Sequence, residues 1–100
     1  KNRTMDIKSM IEKEGATIVD VREPGEYKAG HIEGSINLPM SNLKGQVDQY
    51  RAFSRPLILV CRSGSRSGMV TRFLRSSGME EVYNGGAWDD IVFSKETQVV

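Results

Sequence analysis

Apolar and polar residues alternate with a changing period along the 100-residue chain, and each period predicts one kind of element. Short apolar runs rich in β-branched residues predict strands, whereas apolar residues three or four positions apart predict amphipathic helices. Strands are therefore predicted at residues 16–22, 35–39, 57–61 and 81–83. A first helix is predicted to carry Ile7, Met10 and Ile11, with Thr4 or Asp6 as its cap and Gly15 as its stop. Further helices are predicted around residues 24–30, 41–53 and 88–93, and from the loop after residue 61 to about residue 77.

Strands and helices alternate, which predicts an α/β fold with a central parallel sheet of about five short strands and helices on both faces. Residues 1–100 suit a single domain, because no linker or internal repeat divides them. Asn84-Gly85-Gly86 is predicted to turn the chain between the last strand and the last helix. Residues from about 94 to 100 have no periodicity, and we expect them to form a frayed tail.

The only cysteine, Cys61, ends an apolar run and begins a short loop of glycine, serine and arginine. Because an amphipathic stretch follows, we expect the sulfur to lie where loop N–H groups and the positive end of a helix converge. A thiol there is favoured as the reactive thiolate. Lowering its pKa by two units requires roughly 2.7 kcal/mol, and a helix N-terminus contributes only about 0.3–1 kcal/mol. We expect Arg62, Arg66 and the loop amides to contribute the rest.

Cysteine and histidine usage excludes two kinds of site. A single cysteine cannot form an internal disulfide, and one cysteine with one histidine (His31) provides no metal-ligand cluster of the usual spacing. No stretch approaches the length of a membrane span. The sequence therefore predicts a protein without metal or cofactor and without membrane insertion.

The net charge of +1 hides a division along the chain. Between Asp48 and Glu80 there are six arginines and no acidic residue, so this segment carries +6 and the remainder −5. Cys61 lies in the middle of the positive segment, which would draw anions to the sulfur. The sequence contains no recognised nucleic-acid motif. We therefore expect a small anionic substrate or an acidic protein partner rather than nucleic acid.

Other polar and aromatic residues have structural interpretations. Asp20, Arg22 and Glu26 follow the first strand, and we interpret them as an ion-paired network that joins the strand end to the next helix. His31 is a lone histidine between glycine and isoleucine, which favours a structural role. Trp88 is predicted to lie in the core or in a pocket wall.

Three motifs, in family order, resemble those of the rhodanese (sulfurtransferase) domain. The first motif is residues 20–39, the second is the loop from Cys61 to Arg66 with its following helix, and the third is Asn84-Gly85-Gly86 with Trp88 nearby. The resemblance spans about residues 4–92. It implies a rhodanese-like fold and a double-displacement reaction, in which the Cys61 thiolate takes the outer sulfur of a donor such as thiosulfate. The resulting persulfide would pass its sulfur to cyanide or a thiol.

The resemblance and the loop chemistry together assign the candidate site. Cys61 is the predicted catalytic residue, and the loop is predicted to surround the anionic substrate with N–H groups, as a nest does. No general base is required, because sulfur transfer removes no proton from carbon or from an alcohol. The predicted substrate-binding residues are those of the loop and the first helical turn: Arg62, Ser63, Gly64, Ser65, Arg66 and Ser67.

Two other functions stay open at this point. The same fold supports cysteine phosphatases, but their loop is one residue longer, with arginine six positions after the cysteine. Here arginine occurs five positions on, as Arg66, which suits a sulfur atom better than phosphate; arsenate reduction is a further, minor alternative. Rhodanese-like domains also serve as docking modules, and this chain would then be a persulfide carrier facing an acidic partner.

The predicted compartment is the cytoplasm, with the periplasm after signal removal as the alternative.

Overall fold

The computed structural model describes residues 7–91 and 100, and in them the apolar runs form one parallel sheet. Its spatial order is β2-β1-β3-β4, and each neighbouring pair is parallel. The predicted α/β fold with a parallel sheet is confirmed, although the described residues contain four strands rather than about five. The strands are β1 (Thr17–Asp20), β2 (Ile36–Asn37), β3 (Leu57–Cys61) and β4 (Val82–Ala87).

Helices cover both faces of the sheet, as predicted. One face packs against α3, α4 and a 3₁₀ helix, and the other packs against α1 and α5. The bounds are α1 (Ile7–Ile11), α2 (Pro24–Ala29), the 3₁₀ helix (Met40–Gln46), α3 (Val47–Ala52), α4 (Ser65–Ser76) and α5 (Trp88–Ile91). No helix in the described part of the chain is long and apolar enough to span a membrane.

The central strand β3 determines which way the cysteine faces. All five of its residues are buried, as expected for a strand covered on both sides. Successive side chains point to opposite faces, so Leu57, Leu59 and Cys61 lie in the cluster with α3 and α4. The two residues between them, Ile58 and Val60, lie in the cluster with α1 and α5. The two-residue period therefore places the thiol on the α4 face.

The single helix predicted over residues 41–53 is wrong. The chain forms a 3₁₀ helix over Met40–Gln46 and then a separate α-helix over Val47–Ala52. Asn42 has non-helical dihedral angles (φ −107°, ψ 17°), and Gly45 weakens the helix because glycine has low helix propensity. A groove lies beside this segment, lined by Met40–Gln46 and by Phe73 of α4.

The turn predicted at Asn84-Gly85-Gly86 is also wrong, because β4 continues through these residues to Ala87. The strand accommodates them with a bulge: Leu59 is opposite Asn84, and the next residue of β3 is opposite Gly86. Gly85 is the extra residue. A Cβ there would lie 2.7 Å from Ile58 Cγ2, so only glycine fits without displacement of the core.

The predicted frayed tail lies almost entirely outside the described residues. Val100 is described, and it exchanges two backbone hydrogen bonds with His31, of 3.1 and 2.9 Å. Residues 94–99, residues 92 and 93 of the predicted last helix, and the predicted caps Thr4 and Asp6 are outside the described part, so those predictions stay predictions.

Candidate active site around Cys61

Cys61 ends β3, and α4 begins only four residues later, at Ser65. Such a short connection requires an unusual backbone conformation, which Gly64 supplies with φ 96°. A Cβ on Gly64 would lie 3.2 Å from Gly86 Cα, so the loop also approaches the β4 bulge closely. The predicted strand, loop and helix around the cysteine are therefore confirmed in the structure.

The sulfur accepts hydrogen bonds from the loop that follows it. The Gly64 N–H donates to Cys61 Sγ at 3.0 Å, and both the N–H and the hydroxyl of Ser67 lie 3.4 Å from the sulfur. The Ser67 side chain is fully buried, and Cys61 is 1 % exposed. The start of α4 thus directs its unpaired N–H groups at the thiol, as at other helix N-termini that bind anions.

Two opposing effects determine the pKa of the Cys61 thiol. Burial raises it, while hydrogen bonds from the Ser67 hydroxyl and from the N–H groups of Ser67, Ser63 and Gly64 lower it, and the net pKa is below its ordinary value. A hydrogen bond to a charged group contributes about 1.5–3 kcal/mol, whereas one pKa unit requires about 1.4 kcal/mol. The net direction shows that these hydrogen bonds outweigh desolvation. The thiolate and the Arg66 guanidinium also attract each other electrostatically.

Asn84 holds the loop from below, a role that the sequence analysis missed. Its Nδ2 donates to Gly64 O at 3.0 Å, and its Oδ1 accepts from Ser67 Oγ at 2.7 Å and from Gly86 N at 3.0 Å. Ser67 has one hydroxyl proton, which it shares between Asn84 and the sulfur. The third family motif includes Asn84, but no local sequence pattern predicts that β4 packs against the loop after Cys61.

The two loop arginines are placed differently from each other. Arg66 forms a bidentate ion pair with Glu26 of α2, with Nη1–Oε1 at 2.7 Å and Nη2–Oε2 at 3.1 Å. The hydrogen bond from Arg66 is the main reason that the pKa of Glu26 falls to about 2. Arg62 is exposed and lines a cavity of about 300 Å³ together with Arg22, Trp88 and two acidic residues, Glu26 and Asp89. Arg62 is therefore the loop arginine that faces an open space.

The remaining predicted site residues divide into two groups. Ser63, Gly64 and Ser67 provide donors to the sulfur. Ser65 lies exposed at the first position of α4, and Arg62 lies exposed beside the loop. The structure thus brings together half of the predicted substrate-binding set around Cys61 Sγ.

The predicted network at the end of β1 is confirmed for two of its three members. Asp20 and Arg22 form a buried ion pair of 2.7 Å, and Arg22 Nη2 also donates to Gly30 O at 2.8 Å, which joins β1 to the end of α2. The Arg22 guanidinium lies 4.6 Å from the ring centroid of Trp88. Glu26 forms its ion pair with Arg66 instead, and its interaction with Arg22 is a weaker electrostatic attraction.

His31 has structural contacts, as its sequence context favoured. Its Nδ1 is 2.7 Å from Tyr27 O, and its ring stacks on the Tyr27 ring with centroids 3.6 Å apart. No group of three or more His, Cys, Asp or Glu side chains within residues 7–91 and 100 is arranged to hold a metal ion.

Comparisons with known proteins agree with this geometry. A family model described as "Rhodanese-like domain" matches residues 4–89. Uncharacterized protein YqhL of Bacillus subtilis is 42% identical over 69 residues, which are 69% of this chain and 54% of YqhL. Thiosulfate sulfurtransferase GlpE of Pseudoalteromonas translucida is 37% identical over 84 residues, covering 80% of this chain and 79% of GlpE. A solved structure titled "rhodanese with anions from E. coli" superposes with a TM-score of 0.71 at 26% identity, covering 85% and 96% of the two chains.

Proposed function

The chain belongs to the rhodanese-like domain family, and we propose that it is a sulfurtransferase that carries sulfur as a persulfide on Cys61. The observation that supports this most is the set of hydrogen-bond donors around Cys61 Sγ at the start of α4. They favour the thiolate, which is the nucleophile in sulfur transfer. The likeness to a thiosulfate sulfurtransferase agrees with the same chemistry.

In the first half-reaction, the Cys61 thiolate attacks the outer sulfur of a donor such as thiosulfate. A new S–S bond forms on Cys61, the S–S bond of thiosulfate breaks, and its electron pair leaves with sulfite. In the second half-reaction, cyanide or a thiolate attacks the terminal sulfur of the persulfide, and Cys61 leaves as the thiolate. Charge and sulfur balance in both steps, and no proton has to be moved by the protein.

The loop suits this cycle because every species on Cys61 is an anion. The N–H groups of Gly64 and Ser67 already converge on the sulfur, and the α4 N-terminus favours negative charge. Arg62, exposed beside a cavity, is positioned to attract the donor. We propose that the substrate-binding set comprises Arg62, Ser63, Gly64, Ser65, Arg66 and Ser67.

The proposed reactants are a small anionic sulfur donor and a thiol or cyanide acceptor, without metal or cofactor. The cytoplasm stays the predicted compartment and the periplasm the alternative. A phosphatase is less favoured because the loop is one residue shorter than in cysteine phosphatases, with arginine five positions after Cys61.

Intact-mass spectrometry after brief exposure to thiosulfate tests the proposal. We expect the wild-type protein to gain the mass of one sulfur atom, and cyanide or a reductant to remove it. The Cys61→Ser variant should gain nothing. Unmodified wild-type protein under these conditions would refute thiosulfate as a donor, and Cys61-dependent hydrolysis of an aryl phosphate would support the phosphatase instead.

A further inference from the structure

An apolar groove lies between the 3₁₀ helix and α4, the helix whose first turn holds the Cys61 sulfur. Residues Met40–Gln46 and Phe73 line it, and its volume is about 710 Å³. Met69 lies one turn before Phe73 on the same face of α4. We call Met40–Gln46, Met69 and Phe73 together the α4 groove.

The α4 groove exposes large apolar side chains next to one another. Phe73 is 38% exposed and Met69 is 51% exposed, and among the described residues only Val100 joins them as an exposed large hydrophobic residue. Met40 and Leu43 extend the apolar surface on the opposite wall. Single exposed apolar residues are normal, but adjacent ones beside a groove indicate a contact surface. Methionine and aromatic residues are enriched at protein interfaces.

The charges around the α4 groove are mostly positive, although the Glu23 carboxylate accepts a hydrogen bond from Ser41 of the groove at 3.3 Å. Residues 34–79 contain seven basic residues and one acidic residue, Asp48. Lys44 lines the groove, and Arg51 Nη2 reaches Ser77 O, one turn beyond Phe73, at 3.3 Å. Neither cation forms an ion pair with a carboxylate of residues 7–91 and 100. The groove thus combines an apolar surface with two cations outside the ion pairs of the described residues, Lys44 and Arg51, and one carboxylate, that of Glu23 at Ser41.

We propose that the α4 groove binds an acidic protein segment with an apolar anchor residue, and that this protein receives the sulfur carried by Cys61. The anchor would contact Met69 and Phe73, and flanking Asp or Glu residues would face Lys44 and Arg51. Phe73 lies eight residues along α4 from Ser65, about 12 Å at 1.5 Å per residue. A few residues of partner chain therefore span from the groove to the active-site loop.

The transfer to such a partner uses the chemistry of the proposed function, on which this inference rests. A thiolate of the partner attacks the terminal sulfur of the Cys61 persulfide and forms its own persulfide. The S–S bond to Cys61 breaks, and Cys61 leaves as the thiolate. No oxidant or reductant is consumed.

Three other occupants fit the groove less well. A second copy would bring two basic surfaces together, which electrostatic repulsion disfavours. A membrane surface does not enter a concave groove between two helices. RNA recognition relies on aromatic stacking, whereas the apolar side chains of the groove are mainly those of methionine and leucine.

Selection from a random peptide library displayed on phage tests the proposal. Wild-type protein is the bait, and the Met69→Ser/Phe73→Ser variant serves for counter-selection. We expect enriched peptides to share an apolar residue flanked by Asp or Glu, and to bind the double variant at least about tenfold more weakly. Raising the ionic strength from about 0.1 M to about 1 M, which shortens the screening length from about 10 Å to 3 Å, should weaken binding further.

Two matched charge-reversal variants, one in the α4 groove and one far from it, test whether peptides bind in the groove while its apolar residues stay unchanged. Lys44→Glu, in the groove, should weaken peptide binding about threefold to tenfold. Lys8→Glu, on α1 at the opposite face of the sheet, should leave binding unchanged within about twofold. Thermal melting checks that each variant is folded. Equal losses in Lys44→Glu and Lys8→Glu would overturn the assignment to the groove.

Other outcomes identify another occupant or separate the two proposals. Three results would each overturn the proposed partner. The first is enrichment of peptides without acidic residues, and the second is RNA that competes for the groove. The third is a wild-type dimer that the Met69→Ser/Phe73→Ser substitutions dissociate. Thiosulfate:cyanide turnover should be the same in wild type and in the double variant, because neither residue is among the hydrogen-bond donors to the Cys61 sulfur or in the proposed substrate-binding set. Normal turnover without peptide selection refutes the groove alone. Peptide binding without sulfur loading of Cys61 refutes sulfur delivery and the proposed function, and leaves only a docking surface.

Discussion

Two neighbouring strand–loop–helix corners lie at the same edge of the sheet, and each holds an acidic group. β1 ends at Asp20 and α2 begins at Pro24, while β3 ends at Cys61 and α4 begins at Ser65, so three residues connect strand and helix in both. The Asp20 carboxylate accepts three hydrogen bonds from the Arg22 side chain and one from its N–H. The Cys61 sulfur accepts hydrogen bonds only from neutral N–H and O–H groups.

Under the proposed function, this difference gives a physical reason for a structural role at the β1 corner and a reactive thiol at the β3 corner. A carboxylate matched by a buried guanidinium has its lone pairs engaged and its charge neutralised. The Cys61 sulfur instead accepts its hydrogen bonds from neutral donors, and the Arg66 guanidinium interacts with it only electrostatically, so no bidentate cation engages its lone pairs. We therefore expect the same strand–loop–helix unit to have a structural role where a guanidinium binds its acidic group and a reactive role where neutral donors bind it.

Removal of the anion at each corner should have opposite consequences, and this is the largest effect we expect. Asp20→Ala leaves the Arg22 guanidinium buried without its carboxylate, although it keeps its contacts with Gly30 O and the Trp88 ring, and should lower the free energy of unfolding by about 3–5 kcal/mol. Cys61→Ser should cost about 1 kcal/mol but abolish sulfur loading. Urea unfolding and intact-mass spectrometry measure the two. A similar loss of stability in both variants would contradict the comparison.

The β3 corner also depends on the β4 bulge, which has no counterpart beside β1. Gly85→Ala would place a Cβ 2.7 Å from Ile58 Cγ2 and 2.9 Å from Val60 Cγ1, so we expect a loss of about 1–3 kcal/mol in unfolding free energy. Gly25→Ala is the control, because nothing lies within 4 Å of its added Cβ. Urea unfolding of both variants measures the difference. Equal stability of both would show that the bulge tolerates a side chain.

Loss of one dipole at the sulfur should reduce reactivity without loss of the fold. In Ser67→Ala, the pKa of Cys61 should rise toward its ordinary value, since a donor to the thiolate is removed. The thiolate fraction at neutral pH then falls, and the alkylation rate should drop about fivefold for a contribution of about 1 kcal/mol. Rates measured against pH should level off at higher pH in the variant. Ser65→Ala, exposed on the same turn, should match wild type.

The ion pair between Glu26 and Arg66 connects the two corners and gives the smallest expected effect. Since the pKa of Glu26 falls from 4.5 to about 2 on folding, its contribution is present above about pH 4.5 and is lost as the pH falls toward 2. Both side chains are about a third exposed, so solvent screening limits the contribution to about 0.2–1 kcal/mol. Glu26→Gln should therefore be less stable than wild type at pH 7 and equally stable near pH 2. A constant difference across this range would exclude the charge as its cause.

Local patterns were sufficient for the fold class and for the position of the cysteine. The apolar run that ends at Cys61 and the small-residue loop that follows it are both local features of the sequence. Together they correctly predicted the connection from β3 to α4. The same reasoning misplaced Asn84-Gly85-Gly86, because glycine pairs indicate a turn unless a neighbouring strand accommodates them as a bulge. It also joined the 3₁₀ helix to α3, since both have apolar residues at helical spacing.

Three features follow from the amino-acid sequence alone: the order of the elements, the burial of β3 and the sheet face on which Cys61 lies. They do so because backbone periodicity and side-chain alternation are local properties. The partner of Arg66, the support of the loop by Asn84 and the α4 groove were decided only by the folded chain. Glu26 and Arg66 are 40 residues apart, and a contact of about 3 Å between them depends on how α2 and α4 pack across the sheet edge. Hydrogen bonds and ion pairs act over such short distances that no pattern along the chain specifies them.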